Sequence, residues 1–270
     1  MKDTKKNNVL HLNKKIHKTA IVHSGAKLGQ NVEVGPYAII GENVEIGDGT
    51  SVGSHSVIKG WTKIGKNNRI FSSVSIGQEP QDLKFDGEKS FVEIGDNNTI
   101  REFATIHRGT EDGGGLTKVG DNNLIMAYCH IAHDCHLGNH IIMSNAATLA
   151  GHVIVEDSAV ISGLTGIHQF VRIGKMAMVG GGSKVVKDVP PYVIVDGHPA
   201  SVKGINIVGL RRNGISPELR RQVKEAYKVL YRSNLNISQA IEKMDQELDG
   251  NPLVEHFLRF LRNAQRGICR

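Results

Sequence analysis

The sequence predicts a mainly β protein that winds as a solenoid and ends in a separate α-helical domain. Three observations predict it: aliphatic residues recur at every sixth position, small residues fill the fifth position of the same repeat, and both patterns stop near residue 200. Neither the 3.6-residue period of a helix nor the two-residue period of a strand gives such a repeat. Short strands joined by turns of fixed length do give it, with one aliphatic side chain pointing inward from each flat face.

The aliphatic series defines position one of the repeat. It starts with the unbroken run Leu10, Ile16, Val22, Leu28, Val34, Ile40, Ile46, Val52, Ile58, Ile64, Ile70 and Ile76. It returns in phase at Ile94, Ile100 and Ile106, shifts by one residue, and continues as Val119, Ile125, Ile131, Leu137, Met143, Leu149, Val155, Ile161, Ile167, Ile173, Val179 and Val185. Position five is mostly small, as at Ala20, Ala26, Ala38, Thr50, Cys129, Cys135, Ala147, Ala159 and Ala177. We expect both positions to face the core, so packing accounts for the cysteines at 129 and 135.

This repeat resembles the left-handed parallel β-helix of hexapeptide repeats, in which three hexads make one triangular coil. By that resemblance, residues 10–200 form a prism of roughly nine coils, on the order of 43 Å tall. Two interruptions, residues 82–93 and 111–118, are predicted to be loops inserted outside the core. Such insertions either line a binding face or are passive connections, and the repeat alone does not choose between them.

Residues 201–270 lack the repeat and carry helical signals instead. Capping residues followed by helix-starting residues occur at Ser216-Pro217, at Asn236 with Gln239, and at Asn251-Pro252. Apolar residues follow the first cap at helical spacing: Leu219, Val223, Ala226, Tyr227 and Leu230. The sequence therefore predicts a C-terminal domain of three short helices.

Charge divides the chain at the same boundary. Residues 1–200 hold 20 Lys+Arg against 20 Asp+Glu, whereas residues 201–270 hold 13 against 7, so the net charge of +6 comes from the helical domain. A basic domain in a chain with 5% aromatic residues favours an acidic protein partner over nucleic acid. Three cysteines and no apolar segment of membrane-spanning length predict a cytoplasmic protein without disulfides and without a membrane span.

A histidine-rich stretch, HIAHDCH at residues 130–136, marks the candidate site. With 18 residues to a coil, residue n lies one strand spacing, about 5 Å, from residue n+18. His133 then stacks beneath Gly151 and Asp134 beneath His152, with His168 one step along. Because successive residues of a strand point apart, we expect Asp134 to lie nearer His152 than its own neighbour His133.

General-base catalysis fits this cluster better than zinc binding does. His133 is the candidate base, the N–H of Gly151 the candidate donor to an oxyanion, and Asp134 and His152 would tune the charge. Zinc held by imidazoles needs three nitrogens that converge on one point. The histidines along residues 130–140 are spaced by three, three and four residues, which disfavours zinc binding without excluding it. The histidines off the cluster are expected at the surface or in an interface: His107, His136 and His140.

Seven short motifs carry a resemblance to a known family: IHRGT, GGGLTKVG, HIAHDC, SNAATLAGH, GIHQF, DVPPYVI and GINIVGLRRNG. In this combination the chain resembles the UDP-N-acetylglucosamine acyltransferases that begin lipid A synthesis. The resemblance implies transfer of a long 3-hydroxyacyl chain from acyl carrier protein to the 3-hydroxyl of UDP-N-acetylglucosamine. It also implies homotrimers of β-helix prisms with active sites in the clefts between subunits. No cofactor is implied, because a thioester donor arrives already activated.

The resemblance also assigns roles to individual residues. His133 matches the general base of the family. The positions that surround it are His130, His152, His168 and Gln169. The substrate-binding positions are Asp82 and Lys84 in the first loop, and Asn206 and Arg212 early in the helical domain.

Three further positions bear on specificity. Gly181 matches the position whose side-chain size limits acyl length, so a glycine there implies room for a long chain. The chain departs from the family pattern at Val208, where an acidic residue is common, and at Asn213, where a second arginine is common. Contacts to the nucleotide or to the carrier are therefore open at these two positions.

A basic face on the first predicted long helix would attract an acidic carrier protein. Arg220, Lys224 and Lys228 recur at steps of four, although an ordinary solvated face has the same pattern. Two other functions stay open from the residues alone: an N-acyltransferase acting on an amino analogue of the UDP-sugar, and a zinc-dependent hexapeptide-repeat enzyme.

Overall fold

The computed structural model describes residues 15–248 and 250–270, and places 28 strands in three sheets, followed by four helices. Sheet A contains, in spatial order, β1 (Lys15–Ile16), β4 (Glu33–Val34), β7 (Ser51–Val52), β10 (Arg69–Ile70), β13 (Thr99–Ile100), β16 (Leu124–Ile125), β19 (Ile142–Met143), β22 (Val160–Ile161), β25 (Met178–Val179), β27 (Val193–Gly197) and β28 (Ala200–Ile205). Sheet B contains β2 (Ile21–Val22), β5 (Ile39–Ile40), β8 (Val57–Ile58), β11 (Ser75–Gln78), β14 (Thr105–His107), β17 (His130–Ile131), β20 (Thr148–Leu149), β23 (Gly166–Ile167) and β26 (Lys184–Val185). Sheet C contains β3 (Lys27–Leu28), β6 (Val44–Ile46), β9 (Trp61–Ile64), β12 (Phe91–Ile94), β15 (Leu116–Val119), β18 (His136–Leu137), β21 (Ile154–Val155) and β24 (Arg172–Ile173).

The strands of each sheet stack in parallel, one coil above the next. His130 pairs with Thr148 and Leu137 with Val155, so the predicted 18-residue register is confirmed. The predicted β-helix is confirmed with it, although Leu10, the first member of the aliphatic series, lies outside the described residues. The hairpin of β27 and β28 closes the far end of sheet A with an antiparallel pair.

Positions one and five of the repeat both face the interior, as predicted. Ile131 and Leu149 at position one are fully buried, and so are Cys135 and Ala147 at position five. The cysteines are therefore packing residues, and burial raises the pKa of the Cys135 thiol to about 12. One continuous hydrophobic core runs the length of the prism.

A ladder of buried asparagines supports the corner between sheets C and A. The amide of Asn98 donates to Oδ1 of Asn68, and the amide of Asn123 donates to Oδ1 of Asn98, each over 2.8 Å. The Nδ2 groups of Asn98 and Asn123 donate to the carbonyls of Gly120 and Gly138, at 2.9 and 3.0 Å. Position five therefore accepts asparagine where its amide replaces backbone partners that a tight turn leaves unpaired.

Two inserted loops leave the prism at the corner between sheets B and C, called here the B–C corner. The first loop spans residues 79–90, between β11 and β12, and the second spans residues 108–115, between β14 and β15. Residues 91–93 and 116–118, predicted to be loop, instead belong to four-residue strands. Val92 and Thr117 are fully buried in them, so inward packing resumes two residues before the aliphatic series does.

The C-terminal region forms four helices: α1 (Ile207–Arg212), α2 (Pro217–Arg232), α3 (Ile237–Glu247) and α4 (Pro252–Arg262). The three predicted caps are confirmed, since Ser216, Asn236 and Asn251 accept hydrogen bonds from the first turns of α2, α3 and α4. The short helix α1 was not predicted, and β28 carries sheet A five residues past the expected boundary at residue 200. Within the described chain, no helix has the length and apolarity needed to cross a membrane.

The helices pack against the last coils through side chains and through the chain's final residues. Nε2 of His256 in α4 lies 2.8 Å from Oε2 of Glu156, and the guanidinium of Arg172 lies 4.6 Å from the ring centre of Phe260. The amide of Cys269 donates to the carbonyl of Asp188 over 2.8 Å. The C-terminal region therefore forms a cover over the upper end of the prism.

Replacing Asn98 by alanine should lower the free energy of unfolding by about 3 kcal/mol, because the Asn123 amide and the Gly120 carbonyl each lose a buried partner, and Asn68 Oδ1 loses the Asn98 Nδ2 group while keeping the residue 98 backbone amide. Denaturant unfolding followed by the fluorescence of the single tryptophan, Trp61, measures this. Asn97→Gly is the matched control: Asn97 is exposed with φ of 58°, which glycine adopts without strain. Equal stabilities of the two variants would contradict the role of the ladder.

Candidate active site

The predicted histidine cluster lies at the B–C corner, where the chain leaves sheet B and enters sheet C. His133 and Asp134 occupy this corner between β17 and β18, and Gly151 and His152 occupy it one coil higher, between β20 and β21. A side chain added at Gly151 would place its Cβ 2.6 Å from Nε2 of His133. The predicted stacking of His133 on Gly151 is therefore confirmed, and only glycine leaves the imidazole room.

The expectation that Asp134 lies nearer His152 than His133 was wrong. Oδ2 of Asp134 lies 2.8 Å from Nδ1 of His133 and 4.0 Å from Nδ1 of His152. The alternation of side chains holds within a strand, but Asp134 is a corner residue with φ of 57°. The left-handed turn directs its carboxylate back toward the preceding residue, so the two form a histidine–aspartate pair.

The second loop holds the Asp134 carboxylate in place. The Thr110 amide donates to Oδ1 over 3.0 Å and its hydroxyl donates to Oδ2 over 2.6 Å, and the Asp134 side chain is only 1% exposed. Gly113 packs against the carboxylate so closely that any side chain there would displace it. Burial alone would raise the pKa of Asp134, but the hydrogen bonds from His133 and Thr110 outweigh it and hold that pKa below its ordinary value. The carboxylate is therefore ionised at neutral pH.

This arrangement leaves the other nitrogen of His133 for chemistry. An ionised Asp134 accepts the Nδ1–H of a neutral imidazole, so Nε2 carries the lone pair. Nε2 lies 4.0 Å from Oδ2 of Asp82, which the first loop brings to the same corner, and the His133 side chain is 13% exposed. The pair has the geometry of an oriented general base with an accessible nitrogen.

His152 forms the upper wall of the site. Its ring meets the edge of the His133 ring at a centroid distance of 5.0 Å and stacks on Phe170 at 4.4 Å. Burial lowers its pKa, and the nearby Asp134 only partly opposes this. Phe170 was not singled out in the sequence, although it lies 18 residues after His152 and shares its corner position.

Two further histidines lie beneath the pair. Nδ1 of His130 lies 2.7 Å from the Thr105 hydroxyl, and the His107 ring meets the His130 ring edge-on at 4.9 Å. The prediction that His107 lies at the surface or in an interface was wrong, because it is only 6% exposed within the single chain. The register shifts in its strand, where Gln78 pairs with His107, and this turns the ring under the loops. His136 and His140 are exposed, as expected.

Other predicted site residues lie partly at this corner and partly elsewhere. Lys84 is exposed in the first loop, with Nζ 3.7 Å from Oδ2 of Asp112, and His168 and Gln169 are exposed at the B–C corner. Gly181 is exposed at the corner between sheets A and B, and the Cβ of a larger residue would meet the Gly163 carbonyl only at 3.5 Å. The corner therefore gathers only part of the predicted site within one chain.

The helical residues of the predicted site have mixed environments. Asn206 is buried, and its side chain caps α1 and donates to the carbonyl of Met176 over 2.9 Å, whereas Arg212 is exposed in the last turn of α1. On α2, Lys228 pairs with Glu225 over 2.9 Å and Arg220 donates to the carbonyl of Ile215 over 3.1 Å. Lys224 is exposed on the same helix. The Asn206 side chain is thus committed to the fold, and its predicted contact with substrate stays a prediction.

The site also contains a minimal set of metal-ligating atoms. His133, Asp134 and His152 each offer one atom, and the three atoms lie within 4.8 Å of one another. Two of these residues, His133 and Asp134, also form the 2.8 Å contact of the general-base arrangement. Metal binding and the general-base arrangement would therefore draw on the same side chains.

The helical region and the repeats match known families. Residues 188–269 match domain 2 of the UDP-N-acetylglucosamine O-acyltransferases, and residues 25–60 and 116–151 match the bacterial transferase hexapeptide repeats. The chain is 48% identical to the acyl-[acyl-carrier-protein]–UDP-N-acetylglucosamine O-acyltransferase of Synechocystis sp. over 197 residues, 73% of this chain and 71% of the relative. It is 50% identical to that of Alkalilimnicola ehrlichii over 196 residues, 73% of this chain and 76% of the relative.

Solved structures match over the prism and the helices together. LpxA from Acinetobacter baumannii is 45% identical with a TM-score of 0.92, covering 94% of this chain and 99% of that one. The UDP-N-acetylglucosamine acyltransferase of Francisella novicida gives the same identity and TM-score, covering 94% of both chains. The Arabidopsis UDP-N-acetylglucosamine acyltransferase is 38% identical with a TM-score of 0.82, covering 94% of this chain and 100% of that one.

A left-handed parallel β-helix of hexapeptide repeats with a histidine–aspartate pair at one corner defines a hexapeptide-repeat acyltransferase. Identity of 48–50% to curated relatives narrows the class further. The chain belongs to the family of acyl-[acyl-carrier-protein]–UDP-N-acetylglucosamine O-acyltransferases. The resemblance carried by the seven motifs is thereby confirmed.

Because His107 is buried, we expect the folded protein to lose stability in acid. Burial, with the neighbouring His130 and His133, lowers its folded-state pKa to about 4 from 6.5. Between pH 6.5 and pH 4 the unfolded chain therefore binds more protons than the folded chain does. The free energy of unfolding that the neutral His107 supports above pH 6.5 is lost as the pH falls to 4. The free energy of unfolding of His107→Leu should fall less than that of the native protein over this window, by about 2 kcal/mol. The exposed-site variant His140→Asn should keep the native pH dependence.

Proposed function

We propose that this chain transfers a long 3-hydroxyacyl group from acyl carrier protein to the 3-hydroxyl of UDP-N-acetylglucosamine, with His133 as the general base. The observation that carries the proposal is the buried contact of His133 Nδ1 with Asp134, which leaves Nε2 facing Asp82 at 4.0 Å. The relatives at 48% and 50% identity are named acyl-[acyl-carrier-protein]–UDP-N-acetylglucosamine O-acyltransferases, which supports the donor and the acceptor of this proposal. The product is the first acylated intermediate on the way to lipid A.

The reaction needs one proton acceptor and one oxyanion donor. Nε2 of His133 takes the proton of the sugar 3-hydroxyl as the hydroxyl oxygen forms a bond to the thioester carbonyl carbon. In this proposal the Gly151 N–H donates to the oxyanion of the tetrahedral intermediate. The intermediate collapses by breaking its carbon–sulfur bond, and the imidazolium returns its proton to the departing thiolate of the carrier.

Neighbouring charges support the imidazolium that forms during this cycle. Asp134, ionised and 1% exposed, lies against Nδ1, and Asp82 faces Nε2 across 4.0 Å. His152 stays neutral because burial lowers its pKa, so it adds no positive charge that would repel the imidazolium. The site therefore favours proton transfer to His133 without placing a second cation beside it.

An apolar stripe on the outer face of sheet A supports a long acyl chain as the transferred group. Leu124, Ile142, Val160 and Met178 point outward on successive strands, each paired with the next, although outward positions of a solvated sheet are usually polar. Gly181 follows the last of these strands. An acyl chain along this stripe would cover it and end beside Gly181.

The stripe and the histidine–aspartate pair belong to different faces of the prism, which supports a homotrimer with shared sites. The stripe lies on sheet A, and His133 lies at the B–C corner of the same chain. A single substrate can touch both features only if a neighbouring copy brings its own sheet A to this corner. The exposed Tyr37, Tyr128 and Leu164, at the corner between sheets A and B, suit burial in such contacts.

The carrier protein would dock on the basic helical region. Lys224 and Arg212 are exposed there, and the region carries 13 Lys+Arg against 7 Asp+Glu. Acyl carrier protein is acidic, so the opposite charges would speed its encounter with this surface. We propose that this reaction takes place in the cytoplasm.

Mass spectrometry of the product made from UDP-N-acetylglucosamine and a 3-hydroxyacyl carrier thioester tests the function. The native protein should form an O-acyl ester, and His133→Ala should reduce kcat by at least about a hundredfold, because the general base is lost. His140→Asn should retain full activity. Absence of the ester at every chain length would contradict the proposal. A preference for an amino analogue of the sugar would favour the N-acyltransferase, and zinc at one ion per site, required for turnover, would favour a metal enzyme.

Gly181→Met should shorten the acyl chain that the enzyme prefers, because the larger side chain fills the space beside the end of the stripe. With a ladder of 3-hydroxyacyl carrier thioesters, kcat/KM should move toward shorter chains by several carbons, about 0.8 kcal/mol for each buried CH₂ that is lost. Gly182 is the adjacent glycine, but its φ of 68° would strain any substitution there, so it does not serve as a control. Ser51→Met, at an outward position of sheet A several coils below, is therefore the better control. An unchanged chain-length profile would contradict the assignment of Gly181.

A further inference from the structure

The first loop carries Asp82 to the active site, yet few hydrogen bonds and ion pairs hold this loop in place. The amides of Lys84 and Phe85 donate to Oδ1 and the carbonyl of Asp82, over 3.0 and 3.1 Å, so residues 82–85 form one compact turn. This turn leaves Oδ2 of Asp82 to face Nε2 of His133 at 4.0 Å. The Lys84 contact with Asp112 is exposed on both sides and holds little. Whatever fixes the turn therefore fixes Asp82 relative to the base.

Arg108 provides the anchor beneath this turn. Its guanidinium carbon lies 5.0 Å from the ring centre of Phe85 and 5.9 Å from that of Trp61, and Nη2 lies 3.7 Å from Oε1 of Glu79. Its backbone amide donates to the carbonyl of Gln78 over 3.1 Å, where the loop leaves β11. Arg108 thus contacts the loop at its start and at its turn, and Trp61 of the prism lies on the guanidinium.

Burial of the Arg108 guanidinium costs free energy, which indicates that the contacts of this side chain compensate for that cost. The side chain is 9% exposed, and its single carboxylate contact among the described residues is the 3.7 Å contact with Glu79, which is itself 72% exposed. The buried Nε of Arg108 has no hydrogen-bond partner within residues 15–248 and 250–270. A buried cation without full pairing is unfavourable unless aromatic faces or a required geometry compensate for it.

We infer that Arg108 is a positioning residue of the proposed acyl transfer: by contacting the rings of both Phe85 and Trp61 it holds the 82–85 turn, and so Asp82, at Nε2 of His133. The inference rests on the proposed function for its effect on turnover, but the anchoring of the loop stands apart from it. Arg108 itself lies outside the contacts of His133 and is not proposed to touch the substrate. Its role is to place one carboxylate.

Hydrogen exchange measures the anchoring without any substrate. In Arg108→Met, which keeps a long unbranched side chain but removes the charge and the planar group, amides of residues 79–90 should exchange at least about tenfold faster than in the native protein. Arg69→Met is the matched control, because Arg69 lies 5.3 Å over the Phe71 ring on sheet A, away from the loops. Unchanged exchange in residues 79–90 of Arg108→Met would overturn the inference, whether or not the protein transfers acyl groups.

Kinetics of the same variants separate positioning from general damage. For Arg108→Met, KM for UDP-N-acetylglucosamine should rise about tenfold. The acidic limb of the pH profile of kcat/KM should also move to lower pH, because the His133 imidazolium loses the aligned Asp82 carboxylate. The other titratable groups that face His133 are Asp134, His152, His130 and His107, and none of them is altered. Asp82→Asn should shift the limb in the same direction, and Arg69→Met should leave it in place.

A double-mutant cycle tests the route through Phe85. Phe85→Leu keeps an apolar side chain but removes the aromatic face, and its effect on KM should not add to that of Arg108→Met, because both remove one contact. Additive effects, or a fall in kcat with no shift of the acidic limb, would overturn the positioning role. A native protein with no acyl transfer would refute the proposed function instead, and the exchange measurement would still decide whether Arg108 anchors the loop.

Discussion

The vertical register between coils is the constraint on which the rest of the molecule depends. Ile131 pairs with Ile106 below and Leu149 above, and each is fully buried, so backbone ladder and side-chain stack specify the same alignment. A shift of one residue would expose the aliphatic positions and break both. The same register brings His133 and Asp134 under Gly151 and His152, although each pair is separated from the other by a whole coil of chain.

Apart from the local shift at Gln78 in β11, the inserted loops preserve this register, because each returns to the corner it left. Ser75 pairs with Thr105 and Thr105 with His130, across separations of 30 and 25 residues instead of 18. The extra residues accumulate at the B–C corner, and both loops therefore meet the histidines there. Thr110 of the second loop and Asp82 of the first then contact opposite ends of the Asp134–His133 pair. A regular prism thus gains an irregular site without a change in its core.

The repeat period made most of this fold predictable, because every hexad obeys the same inward and outward rule. The stacking of His133 on Gly151 follows from the same count of residues. The contact of Asp134 with His133 does not, because a corner residue in a left-handed conformation departs from strand alternation. Burial of His107 accompanies a register shift in its strand, and Arg108 matters through ring contacts between distant segments. These contacts have no periodic signal, and the six-residue helix α1 is too short to have one. The stacking of Phe170 on His152 does follow the 18-residue count, although it was not predicted.

The cover at the upper end of the prism has a consequence for association. A parallel stack of strands finishes in a rung whose amide and carbonyl groups are free to accept another strand, which invites uncontrolled end-to-end growth. Here β27 and β28 occupy that rung on sheet A, and the chain near Cys269 bonds to Asp188 beside it. The upper end of sheet A therefore finishes in an antiparallel hairpin and does not present a further parallel rung to the strand of another copy.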